Sequence, residues 1–195
     1  MKTALKVVGG LVLALLLLVA GGVAASWAPD RDVETLKAKW APAPSQFIEI
    51  LGMPAHYRDE GPRDDAEPIV LLHGTSASLH TWDGWAAALR AQRRVIRFDL
   101  PGFGLTGPFA GGFAADDYRG DTYARFVLEL LASRGVQRYA IAGNSLGGEI
   151  AWRVASLAPA QVTRLILVDA SGYEMTPDEI PLGFQLARVP LLNRL

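Results

Sequence analysis

Apolar positions follow different rules in different parts of this chain. From Val7 to Ala28 they form one unbroken block without a charged residue, preceded by Lys2 and Lys6 and followed by Asp30, Arg31 and Asp32. About 20 consecutive apolar residues are what a helix needs to cross the hydrocarbon of a bilayer. This block is apolar on every side, unlike the one-sided stripe of a helix that packs on a soluble core. Residues 1–28 are therefore expected to form a signal-anchor or transmembrane helix that meets the lipid bilayer through residues 7–28. The leading lysines favour a cytoplasmic N-terminus, which places the rest of the chain on the extracytoplasmic side. The competing reading is a signal peptide cut near Ala25, with the protein then secreted. Trp27, an aromatic at interface depth, favours a retained anchor.

After the block the pattern changes. Residues 29–45 read as a connector, in which Val33–Trp40 can make two helical turns before Pro42 and Pro44 stop them. Phe47–Ile50 and Ala55–Arg58 read as an opening strand pair joined by a turn at Gly52–Pro54. Ile69–Leu72, Val95–Phe98, Tyr139–Ala142 and Leu165–Val168 are short, nearly continuous apolar runs, as expected of strands covered on both faces of a parallel sheet. Between them the period becomes helical. Trp82, Trp85, Ala86 and Leu89 share one face, Tyr123, Phe126, Val127, Leu130 and Leu131 a second, and Ile150, Ala151, Val154, Ala155 and Ala158 a third. Strand and helix alternate. The expected fold is α/β, a mainly parallel sheet flanked by helices over residues 46–172, with residues 173–195 beginning a further region. Right-handed crossovers bring the C-terminal ends of such strands to one edge, where sites form.

Composition narrows the chemistry. The 195 residues carry a formal net charge of −1 and no basic stripe, so no nucleic-acid partner is expected. There is no cysteine, which excludes disulfides, thiol nucleophiles and cysteine-ligated metals. The three histidines, His56, His73 and His80, are scattered without helical pairing, so no metal site is expected.

Gly143-Asn144-Ser145-Leu146-Gly147 is a G-x-S-x-G pentapeptide that follows one expected strand and opens an expected helix. That setting is what a nucleophile elbow requires. The turn is tight enough to need glycine on both sides, and the helix N-terminus aims N–H groups at the raised serine. A glycine-rich turn holding a serine by chance is the bland alternative. A second glycine pattern, Gly102 to Gly107, matches G-x-G-x-x-G, but Pro101 and Pro108 flank it and leave no room for the helix that a dinucleotide site needs. No cofactor is expected.

From about Phe47 to Ser171 the chain resembles the α/β-hydrolase superfamily, in particular the serine-nucleophile group with a cap domain inserted after the sixth strand. The resemblance is carried by the His73-Gly74 turn, by Asp99 to Gly104 after the next strand, by the Gly143–Gly147 elbow, and by Val168-Asp169-Ala170. It implies Ser145 as nucleophile and the backbone N–H groups of Thr75 and Leu146 as the oxyanion hole. His73 would support its loop, and His56 and His80 would be ordinary polar residues. Asp169 is a minor candidate for the triad acid, in the place used by haloalkane dehalogenases, although a serine nucleophile disfavours their reaction. Because the triad runs Ser, then acid, then His along the chain, the catalytic histidine is expected beyond residue 195. This stretch alone, ending inside the first cap helices at Leu191–Leu195, is then expected to lack useful catalysis. The implied function is hydrolysis of a small-molecule ester or related acyl bond. Acyl transfer or perhydrolysis on the same fold, or a non-catalytic binding module, are the alternatives.

Overall fold

The strands form where the apolar runs lie, and the runs are short because each spans only the width of the sheet. The structure is a computed structural model that describes residues 2–27 and 31–186. These fall into two compact units, one of Asp32–Tyr173 and one made of the residues before and after it. In the larger unit α2 (Val33–Trp40) precedes β1 (Gln46–Ile50), β2 (Met53–Glu60) and β3 (Ile69–Leu72). A short 3₁₀ turn, Leu79–Trp82, leads into α3 (Asp83–Leu89), followed by β4 (Val95–Phe98), α4 (Gly120–Ser133), β5 (Tyr139–Asn144), α5 (Leu146–Leu157) and β6 (Val162–Val168).

The sheet has the order β1-β2-β4-β3-β5-β6. β1 and β2 are antiparallel, as are β2 and β4, while β3, β4, β5 and β6 run parallel. The α/β class is thus as expected, with an antiparallel opening hairpin. That hairpin turns at Leu51 and Gly52, both at positive φ, so that Ile50 pairs with Met53. Helices cover both faces. Tyr123, Phe126, Val127, Leu130 and Leu131 of α4 and Ile150, Ala151 and Val154 of α5 are buried against one face, together with Phe98, Phe109 and Phe113. Trp82 and Ala86 are buried on the other, over Ile69, Leu71, Val95, Ala140 and Ala142.

Two readings of side-chain burial need correction. Trp85 does not share the buried face of Trp82 and Ala86 but is 42% exposed. With 3.6 residues per turn Trp85 falls at the margin of the stripe through Trp82, Ala86 and Leu89, where it packs against the edge of the Trp82 ring and stays open to solvent. The last strand is also not covered on both faces. β6 is longer than the apolar run suggested and stands at the end of the sheet, where Leu165, Ile166 and Leu167 remain exposed.

The end of β2 carries Arg58, Asp59 and Glu60, all buried. Burial of charge is tolerable only when it is paired. Arg94 donates twice to Asp59, at 2.9 Å and 2.9 Å, and Arg97 reaches Glu60 at 2.8 Å. The antiparallel register of β2 on β4 brings these side chains together across the pair.

In the other unit α1 covers Lys2–Ser26, and its stretch Lys6–Ala25 is long and apolar enough to cross a membrane, with none of it buried. Ala28, the expected end of the anchor, lies outside the described residues. Beyond Tyr173 the described residues run to Leu186 and end in the short helix α6 (Leu182–Leu186), so Leu191–Leu195 lies outside the described residues.

Candidate active site

Parallel strands release their chain at one edge of the sheet, and there the motif residues gather. His73 follows β3, Asp99 follows β4, Ser145 follows β5 and Asp169 follows β6. Adjacent strand order, β4-β3-β5-β6, makes these neighbours in space although they are far apart in sequence.

Ser145 has φ 52° and ψ −118°, a conformation that L-residues avoid. Non-glycine residues held there cost about 1–3 kcal/mol and persist only where the surroundings determine them fully. Here they do. The Ser145 N–H donates to the Val168 carbonyl at 3.1 Å, and its own carbonyl accepts from Glu149 N–H at 3.1 Å and Ser171 N–H at 3.0 Å. The flanking glycines are obligatory for steric reasons. A Cβ on Gly143 would run into the Gly147 backbone, and one on Gly147 into the carbonyl oxygens of Leu72 and His73. Gly148, which the pentapeptide does not include, is equally constrained, since a Cβ there would meet Ala170 at 2.6 Å.

The turn after β3 lies against this elbow. A Cβ on Gly74 would stand 3.1 Å from Ser145 Cβ and 3.0 Å from Asn144 Oδ1, so the backbone entering Thr75 passes beside the serine. Thr75 is exposed. Leu146 opens α5, and the first N–H groups of a helix have no partner within it. The two backbone groups expected to act as donors thus belong to segments that meet at Ser145.

His73 is fully buried and both ring nitrogens are engaged. Nε2 accepts the N–H of Leu100 at 2.9 Å, which leaves Nδ1 to donate to the Gly74 carbonyl at 2.8 Å. Burial holds its pKa below the usual histidine value, against the opposing influences of that Gly74 bond and the nearby Asp99 charge. A neutral ring with no free lone pair supports a turn and cannot take a proton from Ser145. His80 faces Asp83 at 3.1 Å and the Trp40 carbonyl at 2.9 Å.

His56 differs from its sequence reading as an ordinary polar residue. It is completely buried, stacked on Phe47, and bonded through Nδ1 to Asp99 Oδ2 at 2.8 Å. The same carboxylate accepts the N–H groups of Leu79 at 2.7 Å and Leu105 at 2.8 Å. The glycine pattern of 102–107 is explained by this. Its Gly102 N–H closes a turn on the Gly107 carbonyl, and Gly104 has no Cβ because the Asp99 carboxylate occupies that place. No helix starts there, the next being α4 at Gly120.

Asp169 sits at φ 46°, exposed, and among the described residues its carboxylate has no hydrogen-bond partner. Sequence reasoning missed Ser171 and Glu149, which meet beside the elbow at 3.2 Å. Their only sequence signal is position, just past the two motifs.

Comparison with known proteins agrees with this fold. The profile of the alpha/beta hydrolase fold family matches residues 67–191. An uncharacterized protein of Mycobacterium tuberculosis is 35% identical over 164 residues, covering 84% of this chain and 42% of its own. A pimeloyl-[acyl-carrier protein] methyl ester esterase of Nitrosomonas europaea is 32% identical over 117 residues, covering 60% of this chain and 42% of its own. Among solved structures, a membrane phospholipase A described as a bacterial virulence factor superposes with a TM-score of 0.61 at 31% identity, over 89% of this chain and 54% of that one. The chain spans less than half the length of these curated relatives.

Proposed function

This chain belongs to the alpha/beta hydrolase family, and on that footing we propose that the protein is a membrane-tethered serine hydrolase that cleaves carboxylic esters, with Ser145 as nucleophile. The observation that carries the reading is the left-handed conformation of Ser145 at the junction of β5 and α5. A strained serine at a sheet edge, beside converging backbone donors, is the arrangement that acyl transfer needs.

In this reading Ser145 Oγ attacks the ester carbonyl carbon while its proton passes to a base. The N–H groups of Thr75 and Leu146 receive the charge that develops on the carbonyl oxygen. Collapse expels the alcohol, and water then cleaves the acyl-serine to a carboxylate. We do not take the base from His56, His73 or His80: both ring nitrogens of His73 and of His80 are engaged, and His56 is fully buried under Phe47. We assign it to a region of the full-length protein outside these 195 residues, since the matches cover only 42% of each relative's own length. Asp169 is the candidate acid within this chain. A probe of this assignment is a fluorophosphonate applied to the full-length protein, followed by peptide mapping. The adduct is expected on Ser145, and an adduct elsewhere overturns the assignment.

Lipid acyl esters are the proposed substrate class. The match to the membrane phospholipase A covers 89% of this chain, a share that residues 32–195 alone do not reach, so it extends into the apolar N-terminal segment. A substrate dissolved in a bilayer suits an enzyme held beside one.

The helix α1 is proposed to be the tether, with the hydrolase domain on the extracytoplasmic side, because Lys2 and Lys6 precede the apolar stretch. A reporter active only outside the cytoplasm, fused after Trp40, is expected to be active and to stay with membranes after an alkaline wash. A silent fusion refutes the orientation, and an active but soluble one indicates cleavage near Ala25.

A further inference from the structure

The chain leaving β6 holds the proposed nucleophile by its main chain at two points. Val168 accepts the Ser145 N–H, and Ser171 donates its N–H to the Ser145 carbonyl at 3.0 Å. Between these points Asp169 turns at φ 46°. Ser171 is in turn fixed from α5. Its hydroxyl donates to Glu149 Oε2 at 3.2 Å, and its carbonyl accepts from Trp152 Nε1 at 3.3 Å. The other oxygen of Glu149 is held by Arg153, at 3.0 Å from Nε and 2.9 Å from Nη2, and Arg153 also reaches Asp121 at 2.9 Å. Gly172 completes the contact at φ 94°. A Cβ there would stand 2.8 Å from Glu149 Cγ and 3.0 Å from Trp152 Cζ2.

We infer that Ser171, anchored by Glu149 and Trp152, is a positioning residue that holds Ser145 in its attacking conformation. This rests on the reading of Ser145 as nucleophile. The physical reason is the strain at Ser145. The steric fit of Gly143 and Gly147 sets the path of the turn, but it does not set where the Ser145 carbonyl points. That carbonyl is divided between the Glu149 N–H of its own helix and the Ser171 N–H of the segment that follows β6. Pulling from both sides fixes the peptide plane that follows the serine, which is the plane that carries the Leu146 N–H. Nucleophile and oxyanion donor are therefore oriented by one bracket, and the bracket is only as stiff as the side chains that hold Ser171.

Glu149 alone does not decide the matter, because an acidic residue in the first turn of a helix is stabilising there whatever it touches. Ser171 has no such general role. In the full-length protein, Ser171→Ala is expected to lower kcat and the rate of fluorophosphonate labelling about tenfold, in line with the sensitivity of catalysis to ångström-scale misplacement. KM is expected to stay within about twofold, since binding common to ground and transition state is untouched. Ser171→Thr, which keeps the hydroxyl, is expected to recover most of the loss. An unchanged kcat and labelling rate overturns the inference. So does a loss of activity that follows a loss of melting temperature and is not recovered by threonine, which is the behaviour of a merely structural contact. Peptide mapping separates the two levels of the argument. If the wild-type adduct is not on Ser145, the nucleophile assignment fails and the positioning role fails with it. If it is on Ser145 and forms equally fast in Ser171→Ala, only the positioning role fails.

Discussion

Ser145→Ala in the full-length protein is expected to reduce kcat on an acyl ester by about 10³-fold or more, the usual cost of losing a nucleophile, with no measurable loss of folded protein. Both halves of this expectation come from the geometry. The bonds that define the elbow are made by the Ser145 backbone, to Val168, Glu149 and Ser171. Alanine keeps all of them and occupies less space. The contacts that force glycine at 143 and 147 involve other residues and are likewise untouched. What disappears is one oxygen, and with it the covalent intermediate. Backbone donors remain, so a residual acceleration of about 10³–10⁴ over water can survive, as it does when members of a triad are removed from an intact site. The measurement is kcat on a short-chain ester beside a thermal melt of the same preparation. Turnover at the wild-type rate would remove Ser145 from the mechanism. Loss of the melting transition would mean that the side chain has a structural task not visible in its contacts.

The parts of this fold that sequence reveals are the parts determined locally. Ile69–Leu72 and Val95–Phe98 are strands with the same bounds in pattern and structure, because a buried parallel strand needs nothing but a short apolar run between turns. The elbow is equally local, since strand, glycine, serine, glycine and helix occur within a few residues. Legibility fails where a residue answers to a distant partner. His56 looks like a polar position in a half-exposed strand until Asp99, 43 residues later, is brought beneath it by the antiparallel docking of β2 on β4. The sequence pattern ends this strand at Arg58, yet β2 runs on to Glu60, where Arg94 and Arg97 pair with buried Asp59 and Glu60. Ser171 shows the same limit, because its meaning depends on Glu149 and Trp152 across the boundary between β6 and α5. Trp85 is a different case. There the helix is identified, but Trp85 stands at the margin of its narrow buried stripe and stays exposed.

Asp99→Ala is expected to destabilise the hydrolase domain by about 3–5 kcal/mol, since it strips a buried acceptor from three donors, each costing about 1–3 kcal/mol when left unpaired. Asp99 is 1% exposed and satisfies the His56 ring together with the N–H groups of Leu79 and Leu105. Without it those donors are left in a dry interior, each at a cost of about 1–3 kcal/mol before relaxation. His56 is worst placed, since among the described residues its Nε2 has no partner either. For a domain of this size the loss corresponds to a fall in melting temperature of about 10 °C. The pH dependence has a definite sign. Burial pushes the Asp99 carboxyl up, but the bonds from His56, Leu105 and Leu79 outweigh it and hold the pKa below the ordinary aspartate value. A carboxylate with a depressed pKa in the folded state contributes its full stability above the unfolded value, near 3.9, and loses it as pH falls through the folded one. Wild type should therefore lose melting temperature as the pH drops below about 4, and Asp99→Asn, which cannot titrate, should lose less over the same interval. The damage should also reach the site, because Leu100, next in the chain, donates to His73 and so braces the turn that carries Thr75. At temperatures where the variant remains folded, kcat is expected to fall while Ser145 still labels. A variant that melts with wild type and loses stability in parallel with it down to pH 3 would show that Asp99 is not the keystone of this edge of the sheet.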